Sequence, residues 1–393
     1  MIPRVVGPNR RRWKRILARQ LICGALFLAG LWTVPSWWWG RTAGAWYDGD
    51  ETEQGKLSRG VAAWLEAPLD GGRFRTGDPT FDGEWFFGTY MMAAMGFGQT
   101  ALEHPAWRAR HGALMDRCID RLLSPEVRRF DRESWGADAI ESLDGDGGHA
   151  AYLGYLNLAL SLRRLLDPGN KHAALNDRIT AALVRRIGKS PTMLLSTYPR
   201  ETYPVDNCAV IGSIGLYDRA AGADHAALIR RWSGRCRERY VDLGTGLLYQ
   251  AVDARDGTPA DKPRGSGTAF GLYFLSFADP ALSRDLYAAT KRELATTLLG
   301  FGAVREYPAG CVGLGDIDSG PIVLGCGLST TGFSIAGARI HGDRPYFRRL
   351  VATVCCFGAP LEKGDRLHFV TGGPLGDAIL FAMLTAQPGA ARP

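Results

Sequence analysis

Six stretches of small and apolar residues recur along the chain, each preceded by a loop rich in Gly, Pro and polar or charged residues. The loops are Phe81-Asp82-Gly83-Glu84-Trp85, Asp146-Gly147-Gly148-His149, Tyr203-Pro204-Val205-Asp206-Asn207, Pro263-Arg264-Gly265-Ser266-Gly267, Gly315-Asp316-Ile317-Asp318-Ser319-Gly320 and Gly372-Gly373-Pro374-Leu375-Gly376-Asp377. A repeat of roughly 60 residues signals one supersecondary unit used many times. The stretch Glu84–Ala101 is apolar nearly all round, as a helix buried on most faces must be. The stretch after it, Trp107–Leu123, sets Arg, His and Asp against Leu and Met at three and four spacing, the pattern of an outer helix. The alternation continues through His149–Leu165 and His172–Ile187, Asp206–Tyr217 and His225–Tyr240, Ser266–Phe277 and Ala281–Leu299, then Leu328–Ile340 and Tyr346–Phe357. Gly376–Thr385 is the last inner helix, and Leu57–Leu65 is the outer partner left to join the two ends.

The pattern predicts an all-α (α/α)6 toroid of six helical hairpins, with the six loops at one mouth. A short β-ribbon is expected at Gly246–Asp253, turning near Asp256-Gly257. Glycines within the inner stretches would let neighbouring backbones approach closely. A multi-span membrane protein is disfavoured, because the outer stretches carry too many charges to face lipid.

The N-terminus breaks the pattern. Leu21–Trp39 is uncharged and apolar, about long enough to cross a hydrocarbon core. Arg4, Arg10, Arg11, Arg12, Lys14, Arg15 and Arg19 precede it; Asp48, Asp50, Glu51 and Glu53 follow it. This asymmetry predicts a single-pass helix in the inner membrane, with the domain on the periplasmic or extracytoplasmic side and Trp37–Trp39 at the outer interface. The alternative is a cleaved leader ending at Ala43-Gly44-Ala45. Residues 1–45 are therefore assigned to tail and anchor, and 46–393 to the toroid.

The net charge of +7 comes from the basic tail, so nucleic-acid binding has no support in the remainder. None of the eight cysteines forms a CxxC pair or has a histidine at metal-ligand spacing, so no metal site is expected. The Gly-x-Gly runs lack a preceding strand and a P-loop lysine, so no nucleotide cofactor is expected.

Acid/base chemistry needs carboxyl groups at one cleft, one ionised and one held protonated. Asp206 opens an inner helix, as a cap or a catalytic acid, and Glu201 is its expected partner. Asp316 and Asp318 form a second pair, framed by glycines. His149 opens the second inner helix. Glu84, Trp85, Asn207 and Arg264 are expected to bind substrate, with Tyr152, Tyr155, Tyr203 and Tyr307 as aromatic walls. The competing roles are capping for Asp206, Asp316 and Asp318, a solvated loop position for Glu201, pairing with one of the acids for Arg264, a structural role for His149 and core packing for the aromatic residues.

Tyr155-Leu156-Asn157-Leu158, Asn207 through Leu216-Tyr217-Asp218-Arg219, Asp279-Pro280-Ala281, and Gly327-Leu328-Ser329 through Gly342-Asp343 together resemble the linalool dehydratase-isomerase family. The resemblance covers about residues 84–345 and implies an (α/α)6 fold. It also implies cofactor-free removal or addition of water on a small isoprenoid alcohol. The family's two site cysteines fall near Thr197 or Tyr198 and on Asp206, its site histidine on Tyr155, and a catalytic tyrosine near Ser266. These departures leave two further readings open. One is a glycoside hydrolase, lyase or transglycosylase acting on an exported glycan. The other is a non-catalytic binding module at the membrane surface.

Overall fold

The computed structural model describes residues 10–66, 69, 72 and 74–387. Arg4 of the basic tail and the side chains of Arg10 and Arg11 lie outside the described residues. The chain is mostly helical, with a few short strands. It begins with α1 (Arg10–Trp39), α2 (Ala43–Asp48) and α3 (Glu51–Glu66). The inner helices follow as α4 (Pro79–Glu103), α7 (Ala150–Leu166), α9 (Pro204–Ala221), α11 (Gly265–Leu275), α13 (Leu328–Ile340) and α15 (Gly373–Leu384). Between them run α5 (Arg108–Leu122), the short α6 (Arg129–Trp135), α8 (Ala173–Lys189), α10 (Ala226–Arg235), α12 (Pro280–Glu293) and α14 (Arg344–Gly358).

Contacts follow the predicted alternation. α4 packs on α7, α7 on α9, α9 on α11, α11 on α13, α13 on α15, and α15 on α4. The more charged helices lie against these: α5 on α4 and α7, α8 on α7 and α9, α12 on α11, α14 on α13. α3 packs on both α15 and α4, the joining role expected of Leu57–Leu65. Close approach needs glycine at the tightest crossing: a Cβ at Gly212 would lie 2.3 Å from the carbonyl oxygen of Phe274.

Local chemistry sets where the inner helices start. Pro79 and Pro204 occupy the first helical position, where the missing N–H costs nothing and φ is already helical. The Asp78 carboxylate caps α4 by accepting from the Thr80 and Phe81 amides. The first predicted loop, Phe81–Trp85, is consequently already helical.

Three other expectations need correction. The ribbon at Gly246–Asp253 is a set of isolated bridges, including Val241 with Leu248 and Val252 with Pro259. Two-stranded hairpins form instead at β1 (Ala295–Leu298) with β2 (Phe301–Val304), β3 (Ile322–Val323) with β4 (Cys326–Gly327), and β5 (Pro360–Lys363) with β6 (Arg366–Phe369). The helix expected over Ala281–Leu299 thus stops at Glu293, where Thr296 and Thr297 favour extended backbone and Leu299-Gly300 turns it back. The boundary at residue 45 falls inside α2, whose Ala43 and Trp46 are buried in the core.

α1 is long and apolar enough to cross a membrane, and none of its apolar window is buried in the fold. Its C-terminal end packs on α14.

Candidate active site

The first turns of the inner helices and the loop before β3 bring four carboxyl groups together. Asp206, in the first turn of α9, is nearly buried. It does not cap its helix. Its two oxygens accept from the Tyr155 hydroxyl at 2.7 Å and the Thr197 hydroxyl at 2.7 Å. Glu84, on the first turns of α4, accepts from the Tyr198 hydroxyl at 2.8 Å. The Trp85 indole N–H points at Asp318 Oδ1, 3.4 Å away. Asp316 is held by Arg264 through both terminal nitrogens, at 2.5 and 3.0 Å.

Arg264 is the one cation in this group, and it is divided. Its Nε donates to Glu306 Oε1 at 3.1 Å, so one buried guanidinium serves two carboxylates. Glu306 is fully buried and also accepts from the Ser266 and Thr330 hydroxyls. Its backbone carbonyl takes the Gly265 amide at the start of α11, so it fixes both that helix end and Arg264. The Tyr307 ring lies under the guanidinium, 5.6 Å from its centre.

Electrostatics grade the four acids. Arg264 and the Ser319 contacts outweigh burial at Asp316 and hold its pKa below the usual carboxylate range. Burial pushes Asp206 up to about 6, against the two hydroxyl donors. Asp318 is pushed up to about 7 by desolvation, then by the charges of Asp316 and Asp206. It is solvent-accessible yet crowded by protein atoms. Glu84 is raised well above its ordinary value by burial and by Asp318, Asp206 and Asp316. Asp316 therefore ionises first, Asp206 next and Asp318 after it, with Glu84 also held toward its protonated form.

Aromatic side chains lie beside the acids. Phe270 of α11 stacks on Phe333 of α13 with centroids 4.2 Å apart, and Tyr155 lies 6.0 Å from Phe270. Tyr203, the N-cap of α9, donates to Glu201 at 2.8 Å.

Several expected site residues lie elsewhere. Glu201 is exposed, and its hydrogen bond is to Tyr203, with no contact to Asp206. Tyr152 is core: its hydroxyl donates to the Leu122 carbonyl at 2.9 Å and its ring packs on Phe87 and Phe130. Asn207 clamps the preceding loop, accepting from the Leu195 amide and donating to the Leu195 carbonyl. His149 is buried, stacked on Trp135 and hydrogen-bonded through Nδ1 to Asp131 at 2.7 Å. Trp135 in turn donates to the Thr197 carbonyl, so this corner braces the segment that carries Thr197 and Tyr198.

Tyr198 and Glu306 were not among the expected site residues. Tyr198 lies 114 residues from Glu84 in sequence, and no local pattern links them. Thr197 and Tyr198 do stand where the family resemblance places a site residue. Among the described residues, no group of three or more His, Cys, Asp or Glu is arranged to hold a metal ion. No protein-family model matches the chain.

Proposed function

We propose that this protein is a membrane-anchored acid/base enzyme that cleaves or rearranges glycosidic bonds of an exported glycan. The observation that carries this reading is the graded ionisation of carboxyl groups around one recess. Near neutral pH Asp206 is largely ionised, Asp318 is close to its midpoint, and Glu84 is shifted toward its protonated form. A neutral carboxylic acid beside a carboxylate is what glycoside cleavage needs. Glu84 or Asp318 donates a proton to the leaving oxygen. Asp206 activates water or attacks the sugar carbon. Trp85, Tyr203 and Tyr307 offer faces on which sugar rings can stack.

The helix contacts support an (α/α)6 toroid with this recess at its mouth, and the basic tail before α1 supports placing that mouth outside the cytoplasm. A binding module would have its acids neutralised by cations. Among the described residues, neither Glu84, Asp206 nor Asp318 has an ion-pair partner, which favours catalysis.

A second reading is lyase or isomerase chemistry on a small isoprenoid-like alcohol, related to linalool dehydratase-isomerase. Two observations favour it. The Phe270–Phe333 stack gives the recess an apolar wall. Thr197, one of the two residues near which that family's first site cysteine falls, donates to Asp206, the position of the second. The number of charged groups favours the glycan reading, since a dehydratase site would be mostly apolar.

The test is mass spectrometry of the full chain in nanodiscs, incubated with pooled oligosaccharides and pooled isoprenoid alcohols, with Asp206→Asn alongside. Shortened or rearranged glycans absent from the variant support the first reading. An alcohol lighter by one water, again absent from the variant, supports the second. No change in either pool counts against both.

A further inference from the structure

We propose that the β1–β2 hairpin is a second membrane contact, its tip leucines in the outer interfacial layer beside α1 and the flanking arginines on anionic phospholipid headgroups. The proposal rests on α1 spanning the bilayer. Leu298 and Leu299 form the tip, 59% and 39% exposed. The turn is two residues long, with Leu298 paired to Phe301 and both Leu299 and Gly300 at positive φ, 51° and 81°. Such a turn ordinarily takes Asn or Gly at its first position, because a bulky residue is strained there. Folding in water gives no reason for two adjacent leucines at that tip. Insertion into lipid gives one.

The tip sits on the anchor. A Cβ at Gly300 would lie 2.2 Å from Ser36 Oγ and 3.6 Å from the Trp32 carbonyl oxygen, so only glycine allows this approach. Trp32 precedes Trp39 by seven residues, about 10 Å along a helix. With Trp37–Trp39 at the interface, the hairpin tip is level with the edge of the hydrocarbon.

Charge supports the same placement. Arg41, Arg348 and Arg349 are all exposed. Arg41 lies 4.5 Å over the Trp38 ring, and Arg349 donates to Thr297 on the hairpin itself. The Arg348 carbonyl oxygen would lie 3.4 Å from a Cβ at Gly40, so this turn of α14 flanks the end of α1. None of the three arginines has an ion-pair partner among the described residues. Three unpaired cations behind an apolar tip fit a surface that is apolar inside and anionic at its headgroups. With two contacts, the domain could not swing freely about α1, and the recess would keep a fixed orientation to the bilayer.

The test is photocrosslinking of the full chain in proteoliposomes of phosphatidylcholine with or without phosphatidylglycerol. Leu299→p-benzoylphenylalanine is the probe. The same replacement at Leu26 of α1 is the positive control, and at Leu243, which is 84% exposed, the negative one. The proposal expects lipid adducts at Leu299 several-fold above Leu243. It also expects more adducts with phosphatidylglycerol, an advantage falling roughly five-fold for each of Arg348→Gln and Arg349→Gln. Adducts at Leu26 with none above background at Leu299 would overturn the docking and leave the span standing. Adducts at neither would overturn the span, and the docking with it.

Discussion

Glu84 and Glu103 stand at opposite ends of one helix, 19 residues and about 28 Å apart. Glu103 sits in a closed arrangement. Its oxygens accept from Arg339 at 2.7 Å and Gln54 at 2.8 Å, and Gln54 Oε1 accepts in turn from His104 Nε2. Arg339 spends its other donors on the Tyr47 and Ala386 carbonyls. Glu84 has one hydroxyl donor and faces three other carboxyl groups. The first end matches charge with charge and stabilises the fold. The second crowds like charges, a cost to folding that fits the proposed acid/base role.

The sharpest way to break this contrast is to remove one acid from each end. Asp206→Asn is expected to lower turnover by a factor on the order of 10³ or more while the protein stays folded, because the ionised member of the acid/base set is gone. Glu103→Ala is expected to leave turnover per folded molecule unchanged but lower stability by about 3 kcal/mol, since Arg339 is left buried without its charge partner. Steady-state kinetics with denaturant unfolding on both variants checks the pair.

Arg264→Ala removes the only cation paired with Glu84, Asp206, Asp316 or Asp318 among the described residues. Glu306 then lies buried without a counter-charge, and a loss of about 3–5 kcal/mol is expected at neutral pH. Part of that loss should return at low pH, where Asp316 can take a proton. Unfolding curves at two pH values read this directly.

Unmodified protein should show the frustration in its pH dependence. Asp206 binds its proton more tightly folded, with a pKa of about 6, than unfolded, with an ordinary value of 3.8. The folded state therefore holds more protons in that window, and stability falls as pH rises from about 4 to about 6, by about 3 kcal/mol from this group. Asp316 has the opposite sign: its depressed pKa adds stability above its ordinary value that is lost as pH falls. Asp206→Asn should flatten the fall between pH 4 and 6.

The smallest effect is expected at Tyr198→Phe. The Tyr198 hydroxyl lowers the Glu84 pKa by donating to the charged form, so its loss moves the alkaline limb of the pH–rate profile upward, with turnover changing only a few-fold. An unchanged limb would assign the acid role to Asp318 instead.

Much of this was legible in the chain. Small-residue stretches such as Glu84–Ala101 have no polar face, so their burial follows from pattern alone. Asp206, Asp316, Asp318, Arg264, Glu84 and Trp85 were legible because each lies at or near the start of an inner element. What the pattern hid has physical causes. Thr296-Thr297-Leu298 continues the apolar spacing of α12, so the switch to a hairpin is invisible without its partner strand. Glu201 is close to Asp206 in sequence, but the turn at Tyr198–Glu201 points it to solvent. The pairing of Tyr198 with Glu84 depends on how α4 and the loop before α9 pack, which no local signal carries.

The most direct test of the graded acids needs no substrate. Infrared difference spectroscopy can follow the carbonyl stretch of neutral carboxylic acids as pH is raised. The account predicts a neutral-acid band persisting at pH 7 that is diminished in Glu84→Gln and in Asp318→Asn, but not altered by Glu103→Gln. If every carboxyl band titrates away near the ordinary value of about pH 4, the recess holds no proton to donate and the acid/base account is wrong.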